Sequence, residues 1–312
     1  MEMVQFGILQ ILLSSLSLAT MSFIIKDLKD IPASNLLFYR ATIQIIVCLI
    51  FSGIFKINPI GKREIFGLLH LRGLFGGIAV LLYFFTLKQI EVSTATAIFM
   101  TTPVYTIFLS RIFLNDAITY EKCLAVTIVI FGSVLIAHPT SWSEKNSELI
   151  GSSLAMTEAF IAAIAVTTIK LIGDRAHYVQ LVFYLSIYMF VIGLGLSIKD
   201  GIVLEVDYRI LLIGLLASMG QLLVNSGLQK VSAVVGMTVR SSEVFFAFLI
   251  GIFVGENVTE LSIYGSFMII VGSWLIGRKS GKSEPRPTIP KAEENSDLES
   301  QPLKRKSFSN DL

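Results

Sequence analysis

Long apolar runs and short polar breaks alternate along this chain from residue 5 to Gly277. Cutting at charges, prolines and turn residues leaves ten runs: 5–25, 34–55, 64–87, 91–114, 120–137, 150–171, 178–198, 209–228, 233–255 and 260–276. A helix needs about 20 mostly apolar residues to cross ~30 Å of hydrocarbon, and each run approaches that length. Barrel strands are shorter and alternate polar with apolar positions. The expected fold is therefore an all-α polytopic membrane protein with ten transmembrane helices. The first run follows MEMVQ, without Lys or Arg, and has no small-x-small cleavage pattern. It reads as the first span rather than a signal peptide.

The polar break HPTSWSEKNSE, His138 to Glu148, divides the chain into two sets of five runs. The halves resemble each other. FLNDAITYEKCLAVTIVIFGSVLI (113–136) aligns without a gap with FVGENVTELSIYGSFMIIVGSWLI (253–276), placing Asp116 on Glu256 and Gly132-Ser133 on Gly272-Ser273. Five is odd, so a second five-helix unit enters the bilayer from the other side. The expected organisation is a repeat at 1–137, a central loop at 138–149, an inverted repeat at 150–277 and a disordered cytoplasmic tail at 278–312. Inverted repeats are a transporter architecture with the site near the midplane between the halves.

Composition sharpens this picture only in part. Hydrophobic residues make up 54% and charged residues 15%, with mean hydropathy +0.73, values too apolar for a soluble domain. The net charge of +2 indicates no nucleic-acid partner. With the N-terminus cytoplasmic, that side holds 16 Lys and Arg against 6 opposite; without the tail the balance is 8 against 6. Both termini are expected in the cytoplasm, with plasma membrane or endomembrane left open. Cys48 and Cys123 sit singly in apolar runs and read as small buried hydrophobes.

Five ionisable residues remain inside the runs: Arg40, Arg72, Arg240, Glu158 and Glu243. A charge at a helix centre costs about 2.5–3.5 kcal/mol on insertion scales, so such residues usually face a cavity or a partner. Arg240 and Glu243 stand three apart and share a helix face. They are either an internal ion pair that pins the ninth helix or part of a transport path. Arg40 either snorkels to the nearer surface or joins the site, and Glu158 either lines a cavity or pairs structurally. Arg72 opens RGLFGG, whose Gly73 and Gly77 suit close helix packing. Pro103, in IFMTTPVYTIF, frees a carbonyl one turn earlier and breaks the fourth span. Thr101, Thr102 and Tyr105 beside it are candidate substrate-binding residues with the five charged ones. Pro103 precedes Asp116 by 13 residues and Glu243 precedes Glu256 by the same 13. The disturbed points of the two halves therefore correspond.

These residues resemble a known family. RGLFGGIAVLLYFFTLKQIEVSTATAIFMTTPVYTIFLSRIFLND with IVIFGSVLIAHP is similar to the EamA-type repeat of the drug/metabolite transporter superfamily. RSSEVFFAFLIGIFVGENVTELSIYGSFMIIVGSWLIG is similar to the G-type branch of solute carrier family 35, where an Arg and an acid replace the proline position. The resemblance covers about 5–277. It implies a secondary carrier with a central cavity from spans 1–4 and 6–9, and peripheral spans 5 and 10 through which a homodimer could form.

No G-x4-G-K-[ST] sequence is present, since GKS at 281–283 follows Ile276 where a leading Gly is required. His70, His138 and His177 are scattered, without metal-ligand spacing. No enzyme activity, metal or cofactor is expected. The Asn257-Val258-Thr259 sequon lies in a tight loop, which argues against its use. KRKSFS around Ser307 reads as a phosphorylation site, a lipid-surface patch or plain solvated tail. The expected function is gradient-driven alternating-access transport of a small organic anion. Arg side chains would bind it, with Glu243 or Glu158 coupling protons or serving a counter-substrate. The rivals are a non-transporting membrane interaction protein of the same fold and a nucleotide-sugar transporter.

Overall fold

The apolar runs have no solvent for their peptide groups, so they must satisfy each N–H and C=O within the segment. A computed structural model, describing residues 2–90, 92–137, 146–203, 207–254 and 260–279, shows them as helices. These are α1 Glu2–Asp27, α2 Ala33–Ile54, α3 Phe66–Gln89, α4 Val92–Phe99, α5 Thr102–Phe113 and α6 Tyr120–Ala137. They continue as α7 Asn146–Ile172, α8 Tyr178–Asp200, α9 Tyr208–Lys230, α10 Ala233–Arg240, α11 Ser242–Val254 and α12 Glu260–Lys279. Among the described residues there is no strand. Much of the central loop, the Asn257 sequon and Ser307 with nearly all of the tail lie outside them.

By length and hydropathy, seven stretches can cross a membrane: Glu2–Asp27, Ala33–Ile54, Arg63–Gln89, Ile150–Arg175, Tyr178–Asp200, Tyr208–Lys230 and Ala233–Val254. The other three expected spans are helical but shorter. The fourth is divided into α4, of 8 residues, and α5, of 12. The fifth is the 18-residue α6, near the short limit for a crossing helix. The tenth is α12, whose apolar part is Ile263–Gly272.

The helices exchange partners across the midpoint of the chain: α1 packs on α9 and α3 on α7, while α2 packs on α8 and α6 on α12. The last contact is tight because it is built from glycine. A Cβ on Gly132 would stand 2.6 Å from the Gly265 carbonyl oxygen, and one on Gly272 3.1 Å from that of Ala125. The small-residue faces of the fifth and tenth spans are thus used against each other within one chain. A homodimer through these spans would use their outer faces, where Phe131, Val134, Phe267 and Ile270 are exposed. Cys48 is buried as expected, but Cys123 is exposed on α6. The apolar run around it gave no sign of which face points outward, because in lipid both faces are apolar.

Helix starts follow ordinary capping chemistry. The Ser232 hydroxyl accepts from Val235 N–H at 3.4 Å, and the Asp207 carboxylate from Arg209 N–H at 2.8 Å. At α8, His177 Nδ1 accepts from Val179 N–H at 3.3 Å, while Gln180 Oε1 accepts from His177 N–H at 3.0 Å. This is a capping box with imidazole in the hydroxyl's place. Partial burial holds the His177 pKa below its ordinary value, and only the neutral ring can accept at Nδ1. Its contribution is therefore full above about pH 6.5, where the unfolded imidazole titrates. It is lost as pH falls through the depressed folded value. Acidifying the purified protein below about pH 6.5 is expected to cost ~0.5–2 kcal/mol, the usual worth of an N-cap. Thermal melts should show this loss in wild type and a flatter profile in His177→Ser.

Candidate functional site

Two helices break at matching points. Between α4 and α5 the chain turns at Met100 and Thr101, where Pro103 offers no N–H to the ladder. Val104 N–H bonds the Thr101 carbonyl at 3.0 Å. Between α10 and α11 the break is Ser241, and Val244 N–H bonds the Ser241 carbonyl at 3.1 Å. The second break has no proline. The Ser241 hydroxyl donates to the Met237 carbonyl at 3.2 Å, and the Ser15 hydroxyl of α1 reaches the Arg240 carbonyl at 3.2 Å. The Arg240 carbonyl, which loses its helical donor because Val244 N–H turns to Ser241, is thereby occupied, while the Met237 carbonyl keeps the Ser241 N–H at 3.2 Å as well.

The second break delivers Arg240 and Glu243 into a cavity shared with Arg40 of α2, Arg72 of α3 and Glu158 of α7. All five charged candidates line this one space. Its volume is about 60 Å³, room for roughly four to six waters at 10–15 Å³ per water sphere. In this conformation the chamber is too small for a metabolite. Lys122, another buried charged residue, lies apart at the start of α6, where its ammonium donates to the Ala117 carbonyl at 3.0 Å.

Arg240 is central to the electrostatics. Its Nε stands 3.5 Å from Glu243 Oε2, and its guanidinium lies 4.9 Å from the Phe99 ring centroid. It is within electrostatic reach of Arg40, Arg72, Glu158 and Glu243 alike. Arg40 does not snorkel. It is buried with its guanidinium 5.4 Å from the Phe84 centroid. Arg72 Nη2 is 3.5 Å from Asn225 Oδ1, a distance at the outer limit of a hydrogen bond. Asn225 is itself held by the Gln221 carbonyl at 2.6 Å.

RGLFGG divides its labour. Gly73 and Gly77 face α8, where a Cβ on Gly73 would stand 2.8 Å from the Tyr184 carbonyl oxygen and one on Gly77 3.2 Å from the Tyr188 Cβ. Gly76 instead lies under the Arg72 guanidinium, whose Nη1 would be 2.0 Å from an added Cβ. Its absent side chain is what allows Arg72 to bend into the chamber.

The uncharged candidates do not line the cavity. The Thr101 hydroxyl donates to the Ile98 carbonyl at 2.9 Å and that of Thr102 to the Phe99 carbonyl at 2.5 Å. Both close the break they flank. The Tyr105 ring meets Phe160 edge-on at 5.6 Å. Tyr83 and Gln221 line the cavity without having been singled out from the sequence. The Tyr83 hydroxyl shares a 2.6 Å hydrogen bond with Ser22 and stands beside Glu243. A tyrosine and a glutamine in long apolar helices carry no formal charge to mark them. Among the described residues, no group of His, Cys, Asp and Glu could hold a metal ion.

Comparison with known proteins gives a consistent picture. The EamA-like transporter family matches at residues 5–138 and again at 149–278. Mouse solute carrier family 35 member G1 is 26% identical, over 88% of this chain and 80% of that protein. Its human counterpart is 28% identical, over 86% and 77%. The pseudopaline exporter CntI of Pseudomonas aeruginosa is 24% identical, over 89% and 98%. A crystal structure 16% identical in sequence superimposes with a TM-score of 0.70, covering 88% of this chain and 98% of its own. It shows that the fold is shared.

Proposed function

The chain belongs to the EamA-like transporter family of the drug/metabolite transporter superfamily, and from that premise we propose that it is a gradient-driven carrier of a small organic anion working by alternating access. It is an integral, multi-pass membrane protein. In the proposed arrangement all ten spans cross, as two inverted five-helix repeats with both termini cytoplasmic. The paired packing of α1 on α9 and α3 on α7, the matching breaks and the twofold family match support this arrangement.

One observation carries the functional reading: five ionisable side chains from five helices meet in a single buried chamber at a helix break. Buried charges are tolerated in hydrocarbon where they border a cavity or one another. Three guanidiniums against two carboxylates leave the chamber formally positive. Guanidinium stays charged in almost any environment and offers a planar fork to a carboxylate. An incoming anion competes with Glu243 for Arg240, so the 3.5 Å pair opens as substrate binds. A carboxylate released in this way is free to take up a proton or to balance a counter-substrate. The half-helix α11 begins at the break beside the chamber, and its N-terminus adds a favourable field for negative charge.

Counterflow into proteoliposomes tests this, using labelled mono-, di- and tricarboxylates beside nucleoside monophosphates. Exchange of a carboxylate supports the carrier. Exchange of nucleotides alone would replace it with a nucleotide-sugar type, and no exchange at all would favour an interaction protein. Two variants probe the parts. Glu243→Gln is expected to lose stimulation by an imposed proton gradient several-fold while counterflow persists. Equal stimulation in variant and wild type would remove Glu243 from coupling. Gly76→Ala is expected to raise the KM for the carried anion ~10-fold, the worth of one displaced charge-assisted contact. The atoms its Cβ would crowd are side-chain ends of Arg72 and Leu185, so thermal stability should change little.

A further inference from the structure

The five charges of the chamber do not cancel among themselves, and the remainder has a definite charge composition. Arg240 and Glu243 form an ion pair at 3.5 Å. Once that pair is set aside, Arg40, Arg72 and Glu158 are left. Among the described residues none of the three has an oppositely charged group within ion-pair distance. All are deeply buried, at 1%, 6% and 4% exposure. Arg40 Nε, Arg72 Nε and Glu158 Oε2 have no hydrogen-bond partner, and neither do Arg240 Nε and Glu243 Oε2, but those two have each other as counter-charges. All three side chains line the same cavity. A buried charge without a counter-charge is costly; Arg72 has only the long Asn225 contact and Arg40 only the Phe84 ring, so this chamber holds two cations and one anion without an ion-pair partner.

We propose that the chamber is built for an amino-dicarboxylate, a small metabolite with two carboxylates and one ammonium group and a net charge of −1. The inference rests on the carrier reading above and narrows its substrate. The two carboxylates answer the guanidiniums of Arg40 and Arg72, each a charge-assisted contact, and one of them is shared with Arg240 once its pair with Glu243 opens. The ammonium answers Glu158. Other anions fit less of the pattern. A simple dicarboxylate satisfies both arginines but faces Glu158 as a like charge. A phosphate ester meets the same repulsion. A neutral α-amino acid with one carboxylate answers Glu158 and one arginine, leaving the other bare.

The test is counterflow in proteoliposomes at fixed pH with matched probes. Aspartate, glutamate and 2-aminoadipate are compared with succinate, glutarate and adipate, which have the same skeletons without the amine. Alanine serves as the one-carboxylate control. The best amino-dicarboxylate is expected to exchange at least ~10-fold faster than its amine-free partner and than alanine, because a site built around a polar group rejects the analogue lacking it. In Glu158→Gln the amine preference should collapse or reverse. A merely structural role for Glu158 would lower all rates together and leave the ratio intact. Amine-free dicarboxylates exchanging as fast as their amino counterparts in wild type would overturn the proposal while leaving an organic-anion carrier standing. That result needs no variant, so misfolding cannot obscure it. Exchange of no carboxylate at all would overturn the carrier reading itself.

Discussion

Arg240→Ala is expected to lower anion exchange in proteoliposomes by roughly 100-fold or more, with the protein still purifying as one monodisperse species. Charge-assisted hydrogen bonds contribute about 1.5–3 kcal/mol each, and a guanidinium fork makes more than one. Arg240 also lies within reach of all four other charges of the chamber. Its removal therefore reshapes the field at every binding group. Arg240→Lys keeps the charge without the fork and should fall between wild type and alanine. The confounding effect is stability. Removing one partner of a buried pair costs ~3–5 kcal/mol because the other is stranded, here Glu243. The double variant Arg240→Ala/Glu243→Ala separates the two. It should recover thermal stability, since no charge is stranded, and should still fail to transport. If the double variant carries anions at the wild-type rate, the pair only holds helices together and does not belong to the transport path.

The charged part of the site was legible because each charge in an apolar run stands out against a large transfer cost, and that cost has few solutions. Each of the five, from Arg40 to Glu243, was marked as a candidate for a cavity or a partner; that Arg40 does not snorkel and that all five line one chamber is visible only in the fold. The break in the fourth span was legible through Pro103. The break at Ser241 was legible only through the 13-residue register that relates the two halves, since no proline marks it. Other features left a weaker trace or none. Tyr83 faces the chamber from a helix that is apolar on nearly every side, whereas Gln221 belongs to a polar stripe on α9, Ser218, Gln221, Asn225 and Gln229, whose helical spacing does mark the inward face. Thr101 and Thr102 looked like ligands because hydroxyls at a break are free to bind. In the fold they are spent on the Ile98 and Phe99 carbonyls, the second of which Pro103 leaves without its backbone donor. Gly76 illustrates the remaining difficulty. Three glycines in RGLFGG look alike in sequence, and only the position of the Arg72 guanidinium distinguishes the one that shapes the site.

Lys26→Met and Lys170→Met are expected to open the chamber toward opposite faces of the membrane. Lys26, at the end of α1, donates to the Leu87 and Ile90 carbonyls at 3.1 and 2.7 Å, and Lys88 donates back to the Leu28 carbonyl. Lys170, at the end of α7, donates to the Leu228 and Val231 carbonyls at 2.9 and 2.6 Å. Gln229 donates back to the Gly173 and Ala176 carbonyls at 3.0 and 2.8 Å. Each lysine sits on the C-terminal carbonyls of a neighbouring helix, α3 or α9, which lack intrahelical partners and favour a cation. In inverted repeats these two ties lie at opposite ends of the bundle, and the small cavity corresponds to both being closed. Losing one charge-assisted tie shifts a two-state balance by roughly ten- to a hundredfold. Val80 lines the chamber; as Val80→Cys, with Cys48→Ser and Cys123→Ser, it reports access to an impermeant maleimide. Lys26→Met should raise labelling from the outer face ~10-fold, and Lys170→Met should do so from the cytoplasmic face. If both variants raise labelling from the same face, the two halves are not inverted, and the alternating mechanism fails with them.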